Sequence, residues 1–481
     1  MNTHHDFIAS YNIETLLKIT NGQSYHTQPD KTFTGISTDT RTIKANNIYI
    51  ALIGPRYDGH DFVNMAMQKG ASLCIVEHDI AESIPYLKVK NSFQALQKIA
   101  QYQRQKFKGK IIGITGSVGK TTLRESLKMI LAGYGRSFSS LKNYNNHLGV
   151  PISLSNLPEN SDYGIFEMGM NAPHEIVPLT TMIKPDIACI TEIGPAHIGN
   201  FNSLEELALT KAEIFDGLSN KGTAIYNGDN QFASFLENYL DNKEIHHRLS
   251  FGTEEKNDIA LKAVQKKGRL YQITVQTPDG QCSYNLPCDK RPILYTSLAM
   301  IATLYSLQLT GDQKYIPSFE NICALSGRGQ EIFLTWQGLQ LTILDDSYNA
   351  NPLSMKAAIE NLKNSNHNGR KIAILGDMLE LGEHKRKYHD ELCPLILETK
   401  ADIIILCGPE MKFVCEHLKS KLSCHYFESP QDIPKSFFRK NLQNNDLILV
   451  KGSRGMEMEK AINTLRADND FKNQRNCQHA L

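Results

Sequence analysis

The sequence lacks paired-cysteine motifs. Its ten cysteines include no C-x-x-C pair and no spacing typical of a zinc site. Cys74, Cys189 and Cys407 lie in apolar runs that predict strands, where a small buried thiol is the expected state. This cysteine usage gives no sign of a metal framework and is typical of a protein in the reducing cytosol.

Membrane and export signals are also missing from the sequence pattern. No apolar run approaches the roughly 20 residues that span a bilayer. The opening residues, MNTHHDFIAS, have neither the basic region nor the apolar core of a signal peptide. We therefore expect a cytoplasmic protein without membrane insertion.

The sequence also has no excess of charge of either sign. The net charge of +1 gives no general attraction to nucleic acid or to an anionic membrane, so we expect no nucleic-acid partner. A polyanionic ligand must therefore be held by local charge. The length of 481 residues predicts two to four domains, and the sequence contains no internal repeat and no long low-complexity tract.

The strongest positive signal is a strand, a glycine turn and a helix in succession over residues 110–122. An apolar run precedes the turn, and apolar residues at helical spacing follow it. This layout predicts a nucleotide-phosphate cradle, in which backbone N–H groups and the positive end of the helix dipole face an anion. The residues predicted to bind the nucleotide here are Thr115, Gly116, Ser117, Val118, Gly119, Lys120, Thr121 and Thr122.

Two residues of this loop carry specific chemistry. Lys120 can reach the β- and γ-phosphates, and the Thr121 hydroxyl can bind magnesium. The match to the general pattern G-x-x-x-x-G-K-[ST] is imperfect, because position 114 is Ile and the glycine is Gly113. An ordinary loop is the alternative, but the strand before and the helix after favour phosphate binding.

Alternating strand and helix patterns predict an α/β protein of three domains. Residues 1–88 predict a small N-terminal α/β domain that binds substrate, and residues 89–323 predict a central domain whose parallel sheet carries the phosphate loop. Residues 324–481 predict a Rossmann-like, doubly wound third domain. The strands expected in the two larger domains are 163–167, 187–191, 341–344, 371–375, 402–406 and 447–450.

Three charged or titratable residues of the central block are candidates for chemistry. Glu167 ends an apolar strand in the predicted sheet of the phosphate loop, where a carboxylate can bind magnesium; a solvated strand-end Glu is the alternative. His197 lies in a turn rich in Gly, Pro and Asn, and a lone His is more often structural than catalytic. Lys211 lies on a predicted helix, where a lysine is normally surface charge.

Polar clusters also follow strands of the third domain. Residues 345–352 read DDSYNANP directly after a strand, which favours a binding loop, although these residue types also favour a helix cap and a turn. Residues 376–382 and 451–455 follow strands as well. Arg328 lies near the second domain boundary, where a guanidinium either reaches phosphate when the domains close or is a hinge surface residue.

These strings together resemble the Mur ligase family. The phosphate loop has that family's own form, including the departure at position 114. An Asp-Asn-Pro-Arg motif, usual in the sister ligase that adds the third residue of the peptide, is absent from the sequence. The other matching pieces are STDTR (37–41), YDGHDF (57–62), NYNNHLGVP (143–151), FEMGMNAPHEI (166–176), DDSYNANP (345–352), GDMLELGE (376–383) and KGSR (451–454).

The resemblance implies an activity, ligands and partners. It implies ATP-dependent ligation of D-alanyl-D-alanine to UDP-N-acetylmuramoyl-tripeptide through an acyl phosphate, within peptidoglycan precursor synthesis. ATP and Mg²⁺ are the implied ligands, the partners are these small-molecule substrates, and we expect a monomer. Another Mur-type amide ligase or a folylpolyglutamate synthetase-like enzyme is the alternative. A nucleotide switch without ligation would leave Glu167, His197 and Lys211 without a use.

The resemblance also implies roles for individual residues. Glu167 and Thr121 would bind one magnesium ion, and His197 a second, while Lys211 matches a lysine that the family carries as a carbamate. Arg328 would contact the γ-phosphate and Asp346 the ribose region. The residues implied at the reaction centre are Lys120, His197, Lys211, Asn145 and Asn146, and those implied to face the substrates are Thr40, Arg41, Asp58, His60, Asn349, Asn351, Lys451 and Ser453.

One segment departs from the family pattern. A His and an Asn usually precede an Ala-rich helix late in the central domain, and the Asn contacts adenine. Here Pro292 takes the place of His and Thr296 that of Asn, so a Thr hydroxyl or backbone groups would have to recognise the base. We also expect the third domain to move as a rigid body and to close over ATP, because Arg328 and Asp346 lie outside the domain of the phosphate loop.

Overall fold

A computed structural model describes residues 8–80, 83–140, 144–310, 319–322 and 325–466 of the protein. The predicted boundary between residues 323 and 324 lies outside these residues, as do the first seven residues, on which the expectation about export signals depends in part. Among the helices of the described ranges, none combines the length and the apolar character needed to cross a membrane.

The N-terminal part of the chain is a small sheet flanked by helices. Its strands are β1 (Ser10–Asn12), β2 (Gln23–Tyr25), β3 (Thr32–Thr34), β4 (Ile36–Ser37), β5 (Asn47–Ile50), β6 (Ala71–Val76) and β7 (Tyr86–Lys88), and its helices are α1 (Ile13–Thr20), α2 (Val63–Gln68) and α3 (Ser92–Lys106). The main sheet has the order β2-β7-β6-β5-β4, and β1 pairs with β3 beside it. The pairings from β4 to β7 are parallel, so the chain crosses back between successive strands.

Buried polar contacts tie this N-terminal part to the centre of the molecule. The Asn156 side chain accepts a hydrogen bond from the Ile36 backbone N–H (2.8 Å) and donates one to the Ile36 carbonyl (2.9 Å). The Tyr11 hydroxyl donates to the Ser155 carbonyl, which lies on the same central helix. The two regions are therefore joined by contacts that leave these buried groups paired.

The central part of the chain has a large mixed sheet. Its strands are β8 (Lys110–Thr115), β9 (Ser137–Ser139), β10 (Tyr163–Glu167), β11 (Ile187–Ile190), β12 (Thr223–Asn227), β13 (Arg248–Gly252), β14 (Ile259–Lys267), β15 (Leu270–Thr277) and β16 (Gly280–Leu286). Its helices are α4 (Lys120–Leu131), α5 (Gly149–Ser155), α6 (Ile176–Ile183), α7 (Leu204–Ala212), α8 (Ala233–Asn242) and α9 (Arg291–Ser306). The strand order is β16-β15-β14-β13-β12-β11-β8-β10-β9.

The expectation of a parallel central sheet needs a correction at one edge. Strands β9 to β14 are joined by parallel pairings, as predicted, but β14, β15 and β16 form an antiparallel meander. In β15, buried and partly exposed residues alternate, because one of its faces meets solvent. Such strands lack the continuous apolar run of a buried parallel strand, so the sequence pattern did not reveal them.

The phosphate loop occupies the middle of this sheet. Strand β8 lies between β10 and β11, and Glu167 of β10 is paired in register with Ile114 of β8. The following helix, α4, buries Leu123 and Leu127 against the sheet, as its apolar spacing predicts. Glu167 therefore lies beside the loop because two neighbouring parallel strands end at the same edge.

The third part of the chain is a six-stranded, doubly wound sheet as far as its described residues show, and this confirms the predicted fold class. The strands are β17 (Gln330–Trp336), β18 (Leu339–Asp346), β19 (Lys371–Gly376), β20 (Ile403–Cys407), β21 (Cys424–Phe427) and β22 (Asp446–Lys451), and the helices are α10 (Pro352–Asn364), α11 (Lys385–Asp390), α12 (Leu392–Glu398), α13 (Pro409–Leu418), α14 (Lys435–Asn441) and α15 (Glu459–Arg466). The order is β17-β18-β22-β19-β20-β21, with only β17 antiparallel to its neighbour among these strands.

The third domain is docked against the central sheet in this structure. The Asn351 side chain donates a hydrogen bond to the Ser117 carbonyl of the phosphate loop (3.2 Å), and the Gly199 N–H donates to the Glu380 carbonyl (3.1 Å). Leu353 packs so closely on Gly194 that a Cβ at that glycine would lie 2.1 Å from its Cδ1. Arg328 and Asp346 are thereby brought to the phosphate loop.

We predict that Ile448→Ala lowers the free energy of unfolding of the third domain by about 3 kcal/mol, because it opens a cavity in a packed core. Ile448 is fully buried on β22, in the same core as Trp336, the single tryptophan of the chain. Tryptophan fluorescence in urea therefore reports this domain. Ile112→Ala, fully buried in the central sheet, is the control, and an equal shift of the tryptophan transition in that variant would contradict separate cores.

Candidate active site

Two glycines shape the phosphate loop. Gly116 has φ of 147°, and a Cβ there would lie 2.0 Å from the Thr191 hydroxyl, so a side chain does not fit. Gly119, with φ of 86°, is the N-cap of α4 and has no side-chain capping bond. The first N–H groups of α4 therefore open into the cavity in front of the loop, where an anion can accept from them.

Lys120 is held inside the loop. Its ammonium donates to the Gly116 carbonyl, and the loss of water around it lowers the pKa of Lys120, although Glu167 opposes that change. An anion in the cavity would offer this buried cation a charged partner. The predicted role of Lys120 at a phosphate therefore has a physical reason in its surroundings.

Oxygen donors converge next to the loop. The Thr121 hydroxyl donates to one oxygen of the Glu167 carboxylate (2.9 Å), and the Asn145 amide donates to the other (2.9 Å). Arg124 lies 3.7 Å from Glu167, and both side chains are almost fully buried. Hydroxyl and carboxylate oxygens are the ligands that Mg²⁺ prefers, so Thr121 and Glu167 fit the predicted magnesium.

His197 and Lys211 face the same space. Lys211 is 3% exposed, and burial, followed by the charge of Lys120, lowers its pKa well below the ordinary value. Burial also lowers the pKa of His197; the Glu380 carboxylate acts in the opposite direction, and Lys120 and Lys211 add to the lowering. The helix lysine is therefore not surface charge, which is the ordinary role that its sequence pattern alone predicts.

Residues of the third domain form the opposite wall. The Arg328 guanidinium lies over the Tyr348 ring, 4.2 Å from its centre. The Lys451 ammonium, almost fully buried, pairs with the Asp346 carboxylate (2.7 Å). Burial raises the pKa of Asp346, and Lys451 counteracts this. Asp346 lines the cavity, and its predicted role at the ribose stays a prediction.

Several predicted substrate residues of this wall also have structural partners. Asn349 accepts a hydrogen bond from the Arg454 N–H (3.2 Å), and Asn351 caps α10 through the Ser354 N–H (2.9 Å). The Ser453 hydroxyl donates to the Ala350 carbonyl (3.1 Å). In the central domain, Asn146 caps the turn before α5 by accepting from the Gly149 N–H (2.9 Å). Their roles toward substrate stay predictions.

A single cavity of about 1900 Å³ joins these walls in the described part of the chain. Its size suits a nucleotide together with part of a second substrate. The predicted residues that line it are Ser117, Val118, Gly119, Lys120, Thr121, Thr122, Asn145, Asn146, Glu167, His197, Lys211, Thr296, Arg328, Asp346, Asn349, Asn351, Lys451 and Ser453. Thr115 and Gly116 support the loop from behind and are not among the lining residues.

The predicted adenine residue, Thr296, bonds to its own helix. Its hydroxyl donates to the Pro292 carbonyl one turn earlier (2.8 Å), although the residue lines the cavity. Its neighbour Tyr295 donates to Asp229 (2.7 Å), and Asp229 also accepts from the backbone N–H and hydroxyl of Thr253 (2.6 and 2.7 Å). Sequence reasoning missed Asp229, although it lies two residues after the end of strand β12, at the edge of the sheet where Glu167 ends β10.

The predicted residues of the N-terminal domain lie outside this cavity. The Arg41 guanidinium pairs with Asp39 (2.8 Å), and Thr40 lies between the two in the chain. Asp58 contacts the His60 ring nitrogen Nδ1 (2.6 Å), and His60 Nε2 accepts from the Glu77 N–H (2.9 Å). These four predicted residues therefore lie in the N-terminal part of the chain and do not line the cavity, and their roles toward substrate stay predictions.

Three family models match successive parts of the chain. They are the Mur ligase family, catalytic domain, over residues 32–104, the Mur ligase middle domain over residues 114–303, and the Mur ligase, glutamate ligase domain, over residues 331–454. The chain belongs to the Mur ligase family of ATP-dependent ligases.

Particular relatives give a narrower likeness. The chain is 35% identical to a UDP-N-acetylmuramoyl-tripeptide--D-alanyl-D-alanine ligase from Rickettsia prowazekii, over 88% of this chain and 93% of that protein. It is 31% identical to the ligase of the same name from Bacillus subtilis, over 90% and 93% of the two chains.

Solved structures agree with the sequence comparison. MurF from Acinetobacter baumannii matches with a TM-score of 0.81 and 27% identity, over 96% of this chain and all of that chain. MurF ligase from Thermotoga maritima, solved in complex with ADP, matches with a TM-score of 0.74 and 25% identity, over 90% and 97% of the two chains. UDP-N-acetylmuramate-alanine ligase MurC from Thermotoga maritima, at 13% identity and a TM-score of 0.56, shares the fold, over 88% and 94% of the two chains.

We predict that Asp229→Asn destabilises the protein in a pH-dependent way. Burial would raise the pKa of Asp229, but the hydrogen bonds from Thr253, Tyr295 and Asn257 outweigh it and hold the pKa at about 2, below the ordinary 3.8. A lowered carboxyl pKa stabilises the folded state above pH 3.8, and this contribution is lost as the pH falls toward 2.

Urea unfolding at pH 7 and at pH 3 tests this prediction. At pH 7 we expect a loss of about 1 kcal/mol, a value reduced for the partial exposure of Asp229, and at pH 3 a smaller loss. Asp30→Asn, which changes an exposed aspartate, is the matched control and should have no effect at either pH. A loss for Asp229→Asn that is equal at both pH values would show that the charge is unimportant.

Proposed function

We propose that this protein joins D-alanyl-D-alanine to UDP-N-acetylmuramoyl-tripeptide with consumption of ATP. The observation that carries the proposal is the grouping of Lys120, Thr121, Glu167, His197 and Lys211 around one cavity in a chain whose relatives are named for that reaction. The product would be the UDP-linked pentapeptide, so the protein would act in peptidoglycan precursor synthesis and, through it, in cell-wall growth and division.

The reaction needs an activated carboxyl group. The terminal carboxylate oxygen of the tripeptide attacks the γ-phosphorus of ATP, and the bond to the bridging oxygen of ADP breaks. The amine of D-alanyl-D-alanine then attacks the carbonyl carbon of the acyl phosphate, phosphate leaves with the bonding electron pair, and the amine loses its proton. The cavity is large enough to hold the reacting ends of all three substrates together.

The cation side chains of the cavity make this gathering of anions possible. Lys120 and the N–H groups at the start of α4 would hold the β- and γ-phosphates, and Arg328 would reach the γ-phosphate from the third domain. Mg²⁺ held by Thr121 and Glu167 would neutralise phosphate charge during transfer. A second ion would be held by His197 and the modified Lys211.

Lys211 has the surroundings that carbamate formation requires. Burial and the charge of Lys120 lower its pKa, which favours the neutral amine, and a neutral amine adds to CO₂ to give a carbamate anion and a proton. Carbamate formation replaces a basic group beside the positive charge of Lys120 with a negatively charged group. Among the hydrogen bonds and ion pairs of the described residues, none involves the Lys211 ammonium, so no acidic side chain there pairs with it.

The remaining assignments complete the proposal. Thr40, Arg41, Asp58 and His60 would face the UDP end of the tripeptide in the N-terminal domain, and Asp346 the ribose of ATP. Asn145 and Asn146 would line the reaction centre, and Asn349, Asn351, Lys451 and Ser453 would contact substrate from the third domain. The enzyme would be a monomer. It would work in the cytoplasm, where its nucleotide-linked substrates are made.

We predict that Lys120→Ala reduces the ligation rate at least about 1000-fold, because a preorganised cation at the transferred phosphoryl group is lost. Phosphate release with UDP-N-acetylmuramoyl-tripeptide, D-alanyl-D-alanine, ATP and Mg²⁺ measures the rate. Lys128→Ala, an exposed lysine on the same helix, is the control. Wild-type protein that uses D-glutamate or a folate instead of the dipeptide would show that the proposed substrates are wrong.

Lys211→Ala should lower activity about 100-fold through loss of a metal ligand. Bicarbonate or formate should restore part of that activity, because a small anion fits the space of the missing carbamate. His197→Ala should respond much less to the same anions, since it removes an uncharged ligand. Equal responses of the two variants in a titration with each anion would contradict the carbamate.

A further inference from the structure

A contact between the third and the central domain involves His197, a predicted metal ligand. Glu380 belongs to the third domain, in the loop after β19, and its carboxylate contacts the His197 ring nitrogen Nδ1. Nδ1 is buried and has no hydrogen bond of regular geometry among the described residues, so the Glu380 carboxylate is its one ion-pair partner there. His197 itself belongs to the central domain and lines the cavity.

The backbone around the pair fits equally closely. The Gly199 N–H donates to the Glu380 carbonyl (3.1 Å), so one residue of the third domain contacts the His197 loop through both side chain and main chain. The backbones of Gly199 and Gly382 are in close contact, and a side chain does not fit between them. A Cβ on Gly199 would lie 2.3 Å from the Gly382 nitrogen. The contact therefore forms only when this loop of the third domain is seated on the central domain.

Both members of the pair have unusual backbone angles. His197 has φ of 61° and Glu380 has φ of 62°, in the left-handed region that residues with side chains adopt at a cost. Conformations of this kind are retained where they aim a side chain, and here they bring the two side chains together.

The exposure of the Glu380–His197 pair determines whether it mainly stabilises docking or mainly affects the His197 ring. The side chains are 28% and 55% exposed, and a partly solvated ion pair contributes little to docking. Its chemical effect on His197 is larger. A carboxylate that accepts from Nδ1–H fixes the tautomer and orientation of the ring and leaves the Nε2 lone pair available to a metal, the arrangement that most metal-binding histidines use.

We propose that Glu380 is a positioning residue that couples docking of the third domain to metal binding at His197. The inference rests on the proposed role of His197 as a metal ligand. When the domain is docked, Glu380 orients His197 and adds negative charge opposite Lys120 and Lys211. When it is undocked, the ring loses its acceptor, and the metal site is completed only after closure.

Mn²⁺ with a non-hydrolysable ATP analogue tests the proposal without turnover. Electron spin-echo spectroscopy detects the ¹⁴N coupling of an imidazole bound to Mn²⁺, and His197→Ala gives the background. We expect the signal in the wild type and its loss in Glu380→Ala, with Mn²⁺ affinity at that site about 10–100-fold weaker. Glu380→Gln keeps an acceptor oxygen and should recover part of the signal. Glu383→Ala, an exposed glutamate of the same loop, should match the wild type.

Gly199→Ala separates docking from the carboxylate. It keeps Glu380 and His197 but places a methyl group against Gly382, so we expect X-ray scattering to show an opened third domain and the ¹⁴N signal to fall. Tryptophan emission and circular dichroism check that each variant is folded. A wild type without the ¹⁴N signal, a normal signal in Glu380→Ala, or a normal signal in an opened Gly199→Ala would each overturn the coupling. The ligation assay of the wild type tests the proposed reaction separately.

Discussion

The structure depends on burying positive charge at one edge of a sheet. Lys211 is buried and Lys120 is half-buried; loss of water lowers the pKa of both, and the Glu167 carboxylate opposes this at Lys120. Such an arrangement favours anions, because positive charge in a poorly hydrated site is weakly screened. The same imbalance would favour a triphosphate at the loop and the anionic form proposed for Lys211. The lowered pKa values of the two lysines and the preference of the site for anions therefore have one origin.

Parallel strands explain why this charge collects in one place. Strands β8, β10, β11 and β12 end at the same edge. Glu167 is the last residue of β10, and Lys120, His197 and Asp229 follow the other three strands. The third domain repeats the arrangement, with Asp346 and Lys451 paired at the ends of β18 and β22. Docking turns the two edges toward each other. The cavity is thus a property of the pair of domains, and Glu380 makes the contact from one edge to the other at His197.

Local pattern was enough to predict the elements that are buried on both faces. The strand before the glycine turn, the strands that end at Glu167 and before His197, and strands β18, β19, β20 and β22 of the third domain are continuous apolar runs followed by polar residues. The edge strands β17 and β21 were not predicted, because they are only partly buried. The meander of β14 to β16 was missed because its strands are half solvated and its signal is weak alternation. The surroundings of Lys211 could not be predicted from its helix, because only the tertiary packing of that helix removes water from its side chain. Asp229 was overlooked although its position after a strand is a usable signal.

The sequence by itself determined the fold class, the buried parallel strands and the glycine loop between strand and helix, and through its motifs the family. These properties are local, because they follow from residue types at fixed spacing along the chain. Tertiary structure alone decided which charges share a cavity, that Thr296 bonds to its own helix while Tyr295 is anchored on Asp229, and that Glu380 reaches His197. Those properties depend on distances between residues far apart in the chain, and on the water that packing excludes.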